Sequence, residues 1–241
     1  MQIEGKNSVL ETIKANKTIN KVILQENLIN GSLQNLVELL KQNKIKFELS
    51  PKNVLDKLSK TPNHQGVIAF IPDFQYCQID DIFLKAKQLN EDVFMVILDE
   101  IEDPHNFGNI IRTCECAGVH GIVTTKNHAC PITETVYKAS SGAINHILIA
   151  QVTNISDCIN DLKSKNVWVY ATDMDGQLAK NCNLKGNLAV VIGNEGNGVR
   201  QLTKKNCDGI LKIEMYGKLN SLNASIATGI ILWQALEQRK I

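Results

Sequence analysis

The sequence predicts an α/β protein: a small mixed unit followed by a larger, doubly wound and mainly parallel sheet. Three observations predict it. Helix-period and strand-period stretches alternate along the 241 residues. Six short runs after residue 90 are apolar almost throughout, as strands covered on both faces must be. Between them lie polar, glycine-broken turns, and such sheets gather ligands at the carboxyl ends of their strands. With 44% hydrophobic residues, the chain can fill one medium core and one small one.

Residues 1–75 read as the small unit. Asn7 and Ser8 are placed to cap a helix over V-L-E-T-I-K-A, and K-V-I-L-Q at 21–25 reads as a strand. Gly31 and Ser32 open a second helix, K-F-E-L at 46–49 forms a strand, and Pro51 starts a short helix. G-V-I-A-F-I at 66–71 is a buried strand ended by Pro72. Residues 76–90 are expected to be linker and first helix, and 91–241 the second domain. Its expected strands are 93–98, 121–125, 146–150, 167–171, 188–192 and 209–213, with helices between them.

Composition excludes several classes. Seven cysteines form no C-x-x-C pair, and Cys114 and Cys116 are too close for a common zinc site. The five histidines show no ligand spacing, so no metal is expected. The opening M-Q-I-E-G-K lacks the apolar core of a signal peptide, and no run approaches the roughly 20 apolar residues of a membrane span. A cytoplasmic protein with reduced thiols is the expectation. The formal net charge is only +1, but residues 1–75 hold ten Lys against seven acids. That surplus suits a surface facing nucleic acid, and a solvated lysine face explains it equally well. Against 23 Lys stand three arginines, Arg112, Arg200 and Arg239, two of them inside glycine- and asparagine-rich motifs. Arginine offers a planar fork of donors that lysine lacks.

Three motifs carry the chemistry. In D-P-H-N-F-G-N-I-I-R (103–112), Pro104 interrupts the chain and Asn106 is placed to cap a helix. At 100° per residue, Phe107, Ile110, Ile111, Cys114 and Ala117 share an inward arc, and Asn109, Arg112 and Glu115 face away. In G-N-E-G-N-G-V-R, glycines at 193, 196 and 198 match neither G-x-G-x-x-G nor a phosphate-binding P-loop. They allow a sharp turn with Glu195 at its tip. The third motif runs from strand 209–213 through Gly217 into an apolar helix starting near Ser221. There Ser221, Ser225 and Thr228 form a stripe of small hydroxyls, and Asn223 sits in the first turn. Each motif alone also reads as ordinary structure: an amphipathic helix, a surface turn, a buried helix.

Together the motifs resemble the SpoU family of the SPOUT methyltransferases. The family's N-x-G-x-I-x-R falls on Asn106, Gly108, Ile110 and Arg112. Its G-x-E-G falls on Gly193, Glu195 and Gly196, and its S-L-N-x-S on Ser221, Leu222, Asn223 and Ser225. I-x-G-x-N-S-V-L-E at 3–11 and H-Q-G-V-I-A at 64–69 resemble the small substrate-binding domain of the ribosomal RNA members, itself similar to an RNA-binding ribosomal protein.

The resemblance implies methyl transfer from S-adenosylmethionine to a ribose 2′-hydroxyl of RNA, with a guanosine of 23S rRNA, free or in an assembling particle, as the expected target. It implies a C-terminal trefoil knot, and a homodimer formed through the last helix, where the hydroxyl stripe and Trp233 would lie. Arg112 would be the catalytic arginine, with Asn106, Glu195, Ser221 and Asn223 orienting it, the ribose and the cofactor. Gly193, Ile213, Met215, Leu222 and Asn223 would hold the cofactor. A tRNA substrate, a resistance-type rRNA methyltransferase and a non-catalytic RNA-binding assembly factor are the rival readings. A nicotinamide-dependent dehydrogenase is disfavoured by the glycine spacing.

Overall fold

The computed structural model describes residues 1–61, 63–219 and 221–239. It divides into two compact units, Met1–Gln75 with Pro131–His146, and Tyr76–Cys130 with Ile147–Ile241.

In the first unit, β1 (Gln2–Glu4) passes directly into α1 (Lys6–Lys14) through Gly5, whose φ of 94° is a conformation side chains disfavour. Gly5 is therefore the N-cap residue in place of Asn7 or Ser8, and Ser8 is buried inside the helix. At three residues, β1 is too short to show a period in the sequence. β2 (Lys21–Gln25), α2 (Gln34–Gln42), β3 (Phe47–Ser50), α3 (Lys52–Leu58) and β4 (Val67–Phe70) follow. The sheet runs β1-β4-β2-β3, antiparallel except between β2 and β3. Ile3, Val22, Leu24, Leu36, Leu55 and Ile68 fill its core.

Glu4 is also buried there. It accepts hydrogen bonds from Gln2 Nε2 (2.7 Å), Ser59 Oγ (2.8 Å), Lys60 N (2.6 Å) and Thr61 Oγ1. Burial pushes its carboxyl up, but these donors, Thr61 foremost, outweigh it and hold the group below its usual range.

The second unit begins with Cys77 N donating to Ile149 O at 3.0 Å, which lays the linker along a sheet edge. Then come α4 (Ile79–Leu89), β5 (Phe94–Asp99), α5 (Pro104–Cys116) and β6 (Gly121–Thr125). At Pro131 the chain crosses to the first unit. There α6 (Glu134–Ala139) packs on β1, and Lys138 Nζ donates to Thr61 Oγ1 and to Asn63 O, both at 2.7 Å. His146, expected at the start of a strand, belongs instead to this excursion, with Nε2 3.1 Å from Glu11 Oε2.

Back in the second unit lie β7 (Leu148–Val152), α7 (Ile155–Ser164), β8 (Trp168–Leu178), β9 (Leu188–Gly193), α8 (Gln201–Asn206), β10 (Gly209–Lys212) and α9 (Ala224–Arg239). The strands lie in the order β10-β8-β9-β5-β6-β7, every neighbouring pair parallel. From β5 the chain builds outward through β6 and β7, then returns to the opposite side, where β9 pairs with β5. The order reverses between β5 and β9, and that is where an open parallel sheet leaves a crevice at its carboxyl ends.

Two features depart from the expectation. β8 runs to Leu178, because T-D-M-D-G (172–176) bulges out of register and the strand resumes beyond it. Ala171 pairs with Ile210 and Gln177 with Leu211. The hydroxyl stripe also dissolves: α9 starts at Ala224, so Ser221 precedes it, and Thr228 is fully buried, donating to Ala224 O at 2.7 Å. The outward face of α9 shows Ile226 and Trp233 instead. Its inner face packs on α5, where Gly229 lies against the Thr113 methyl. Arg239 ends the helix by donating to Gly186 O and to Asp92 O (2.7 Å), with its guanidinium 4.7 Å from the Phe94 ring centre. Among the described residues no helix is long and apolar enough to cross a membrane.

Candidate active site

α5 begins one turn earlier than the sequence suggested. Asp103 is the N-cap residue, its side chain accepting from Asn106 N at 2.7 Å, and Pro104 occupies the first helical position. A proline fits there because that N–H has no helical partner. Asn106 is therefore the third helical residue, and its side chain serves other partners. Phe107, Ile110, Ile111, Cys114 and Ala117 are buried, the inward arc that the period predicts, while Asn109 and Arg112 are exposed.

β9 ends at Gly193, and the chain folds back so that Gly198 N donates to Asn194 O at 2.8 Å. Asn194 Oδ1 also accepts from Gly196 N at 2.8 Å, which fixes the turn from inside. A Cβ on Gly193 would overlap the backbone of Gly198 and Val199, and Gly198 itself has φ of 64°. The turn requires glycine at both positions, and it leaves Glu195 at its tip.

Three distant motifs then meet. Asn106 Nδ2 donates to Glu195 Oε1, and Asn223 Nδ2 donates to Asn106 Oδ1 at 2.8 Å. Asn223 Oδ1 in turn accepts from Ser225 N (3.0 Å) and Ile226 N (3.3 Å), which makes Asn223 the N-cap of α9. One chain of side-chain hydrogen bonds thus joins the ends of β9, α5 and α9.

Beside it lies a cleft of about 380 Å³, within the range of ligand pockets. Gly193, Ile213, Met215 and Leu222 line it, and so does Ser221. Asn223 is absent from the lining and acts through the hydrogen-bond chain. Arg112 lies on the exposed face of α5, outside the lining.

The sequence reading missed the far wall, formed by Thr172, Asp173 and Met174 of the β8 bulge. Asp173 folds that bulge: Oδ1 accepts from Met174 N at 2.6 Å, and Oδ2 pairs with Lys204 Nζ. Burial pushes the Asp173 carboxyl up, but the Lys204 ammonium outweighs it and the group lies below its usual range. A polar D-M-D-G stretch inside a strand was the available signal. Burial pushes the Cys158 and Cys207 thiols up to about 12, so neither is a thiolate nucleophile. Among the described residues no group of three or more His, Cys, Asp or Glu could hold a metal ion.

Comparison with known proteins shows the family. The model of the SpoU rRNA methylase family matches residues 93–233. This chain belongs to that family. A second model, RNA 2′-O ribose methyltransferase substrate binding, matches residues 2–77. The putative TrmH family tRNA/rRNA methyltransferase YacO of Bacillus subtilis is 42% identical over 237 residues, covering 98% of this chain and 94% of its own. The SpoU methyltransferase AviRb of Streptomyces viridochromogenes, solved with S-adenosylmethionine, has the same fold: TM-score 0.81 at 20% identity, over 99% of this chain and 89% of that one. An rRNA methyltransferase of Sinorhizobium meliloti, also solved with the cofactor, gives 0.78 at 23% identity, over 98% and 86%.

As a SpoU enzyme the chain is an S-adenosylmethionine-dependent RNA 2′-O-methyltransferase. The cleft fits that cofactor on its own chemistry. Leu211, Ile213, Leu222 and Ala227 give it an apolar lining of the kind a purine favours, and Glu195 adds a carboxylate of the kind a cation favours.

Proposed function

We propose that this SpoU enzyme methylates a guanosine ribose of large-subunit ribosomal RNA, and that Arg112, Asn106, Glu195, Ser221 and Asn223 form its catalytic set. The Glu195–Asn106–Asn223 chain at the cleft's edge carries the reading. It draws on all three motifs and gathers their polar side chains beside the cleft. The ribosomal target is supported by the substrate-binding segment at 2–77 and by the likeness over both units to an rRNA enzyme. A lysine surplus in residues 1–75 adds to it.

When bound, S-adenosylmethionine supplies an electrophilic methyl group on a sulfonium. The glycine turn and residues 213–215, with Leu222, would hold it and fix the line of attack. Alignment of this kind accounts for a large share of such rate enhancements. Arg112 binds a phosphate of the substrate and stabilises the negative charge growing on the 2′-oxygen. A guanidinium stays protonated, so Arg112 acts by charge, and a phosphate oxygen is the acceptor for the departing hydroxyl proton. Asn106 and Glu195 hold the amino-terminal turn of α5, and hence Arg112, against the cofactor turn. Ser221 orients the ribose at the cleft mouth.

In the same reading the chain threads as a trefoil knot, the enzyme works in the cytoplasm, and it is a homodimer joined through α9. The exposed Ile226 and Trp233 support the dimer, since apolar side chains on a helix face need a cover.

The deciding experiment incubates the protein with methyl-labelled S-adenosylmethionine and unmodified rRNA or tRNA, beside Arg112→Ala, and identifies the product nucleosides by mass spectrometry. Label in 2′-O-methylguanosine of 23S rRNA, lost in the variant, is expected. Label confined to tRNA would overturn the substrate, and undiminished label in Arg112→Ala would overturn the role of that residue.

A further inference from the structure

The catalytic reading leaves a partly buried ion pair unused. Asp99 ends β5 and is fully buried. Its Oδ2 accepts from Arg200 N at 3.0 Å, and its Oδ1 accepts from Arg200 Nε at 2.8 Å, with Nη2 at 2.7 Å. The remaining arm of that guanidinium, Nη1, lies 3.1 Å from Glu100 Oε1. From the other side of the glycine turn, Asn194 Nδ2 donates to Glu100 O at 2.9 Å.

The residues entering and leaving the turn therefore grip two consecutive residues, 99 and 100. Those two begin the corner that leads into α5, which carries Asn106 and Arg112. A ring results: β5 to the corner, the corner to α5, Asn106 across to Glu195, and the turn back to Asp99 through Arg200. With two crossings the ring fixes both separation and angle, which one hydrogen bond cannot do. Lysine cannot replace Arg200, because one ammonium lacks the fork that sets two nitrogens on Asp99 Oδ1 and still reaches Glu100 with a third. In a chain that uses lysine almost everywhere else, arginine stands here.

We infer that the Asp99–Arg200 clamp, braced by Asn194, is a positioning device for methyl transfer, setting the helix of Arg112 against the turn of Glu195 while Asp99 and Arg200 themselves stay clear of the cofactor cleft. This rests on the proposed role of Arg112. Asp99, Glu100 and Arg200 lie outside the cleft lining, and the turn keeps its own internal bonds through Asn194, which lines the cleft. Loss of the fork should therefore slow the reaction more than it weakens cofactor binding.

The test measures kcat on rRNA and the S-adenosylmethionine Kd by calorimetry for Arg200→Lys, Arg112→Ala and the double variant. Arg200→Lys should lose about 10- to 100-fold in kcat, the cost of misplacing a group by about 1 Å, with Kd changed less than about threefold. In the Arg112→Ala background the same substitution should cost less than about threefold, because the residue it positions is gone. A merely structural role would give multiplying losses. Should Arg200→Lys not fold, Glu100→Gln trims the clamp from its half-exposed side and should show a smaller kcat loss with the same non-additivity. A wild-type kcat in the folded variant, full multiplication with Arg112→Ala, or a loss found wholly in Kd would overturn the clamp alone. An undiminished rate in Arg112→Ala by itself would instead overturn the reading of the catalytic set.

Discussion

The hydrogen-bond chain through Asn106 can be reversed in polarity, and that reversal tests its role. Asn106 donates through Nδ2 to the Glu195 carboxylate and accepts through Oδ1 from Asn223. Asn106→Ala removes both bonds. A hydrogen bond to a charged group contributes about 1.5–3 kcal/mol, and at 1.36 kcal/mol per decade that is about 10- to 150-fold in kcat/KM. Asn106→Asp is predicted to be worse. It keeps an acceptor for Asn223 but sets a carboxylate against a carboxylate. Two like charges about 4 Å apart repel by about 1 kcal/mol in water and about 4 kcal/mol near a protein surface, so at least a further fivefold or so is expected. Adding Glu195→Gln to Asn106→Asp moves the negative charge from 195 to 106 and gives residue 195 a donor. The bond returns with its direction inverted, and recovery of about tenfold or more is the expected result. Methyl transfer from labelled S-adenosylmethionine to unmodified rRNA reads all four proteins. If Asn106→Asp retained activity within about threefold of the parent, or the double variant recovered nothing, the coupling between these side chains would be refuted.

Four further outcomes are expected. Gly193→Ala drives a Cβ into the Gly198 and Val199 backbone, and should cost about 1–3 kcal/mol of stability and more than about tenfold in cofactor affinity by calorimetry. Gly217→Ala meets open space without positive φ and should stay within about 0.5 kcal/mol in denaturant melts. Because Glu4 has a depressed carboxyl pKa in the folded state, its contribution is present above the ordinary carboxylate range and disappears as pH falls through the folded value. Glu4→Ala should therefore cost about 2–3 kcal/mol near neutral pH and flatten the acid limb of thermal stability. A mutant melt parallel to the parent's at every pH would sink that account. Trp233→Glu, on the exposed face of α9, should weaken self-association more than tenfold or so in sedimentation, and unchanged mass would remove α9 from the interface.

Much of this was legible in the chain, for a definite reason. Apolar runs such as M-V-I-L, A-V-V-I and G-I-V-T-T show a strand without reference to anything distant, and all six strands of the parallel sheet were read from them. The glycines at 193 and 198 announce a turn because backbone conformation and close approach are local demands. The arc Phe107–Ile110–Ile111–Cys114 follows from helical period alone.

Tertiary structure decided the rest. Asn106 looks like a cap in the sequence, yet Asp103 takes that place and leaves Asn106 to bridge Glu195 and Asn223, residues 89 and 117 positions away. Thr228 looks like part of a hydroxyl stripe, yet in the folded domain it is fully buried and donates to Ala224 O. The D-M-D-G stretch lies beyond the strand expected at 167–171, and only pairing with β10 on both sides of it makes it a bulge in one long strand. Asp99 carries no local mark of its burial, because its partner is Arg200 across the sheet's end. Periodicity and glycine content act over a few residues and can be read directly. Hydrogen-bond partners and burial are set by which ends of the sheet fold together, and that is a property of the assembled domain.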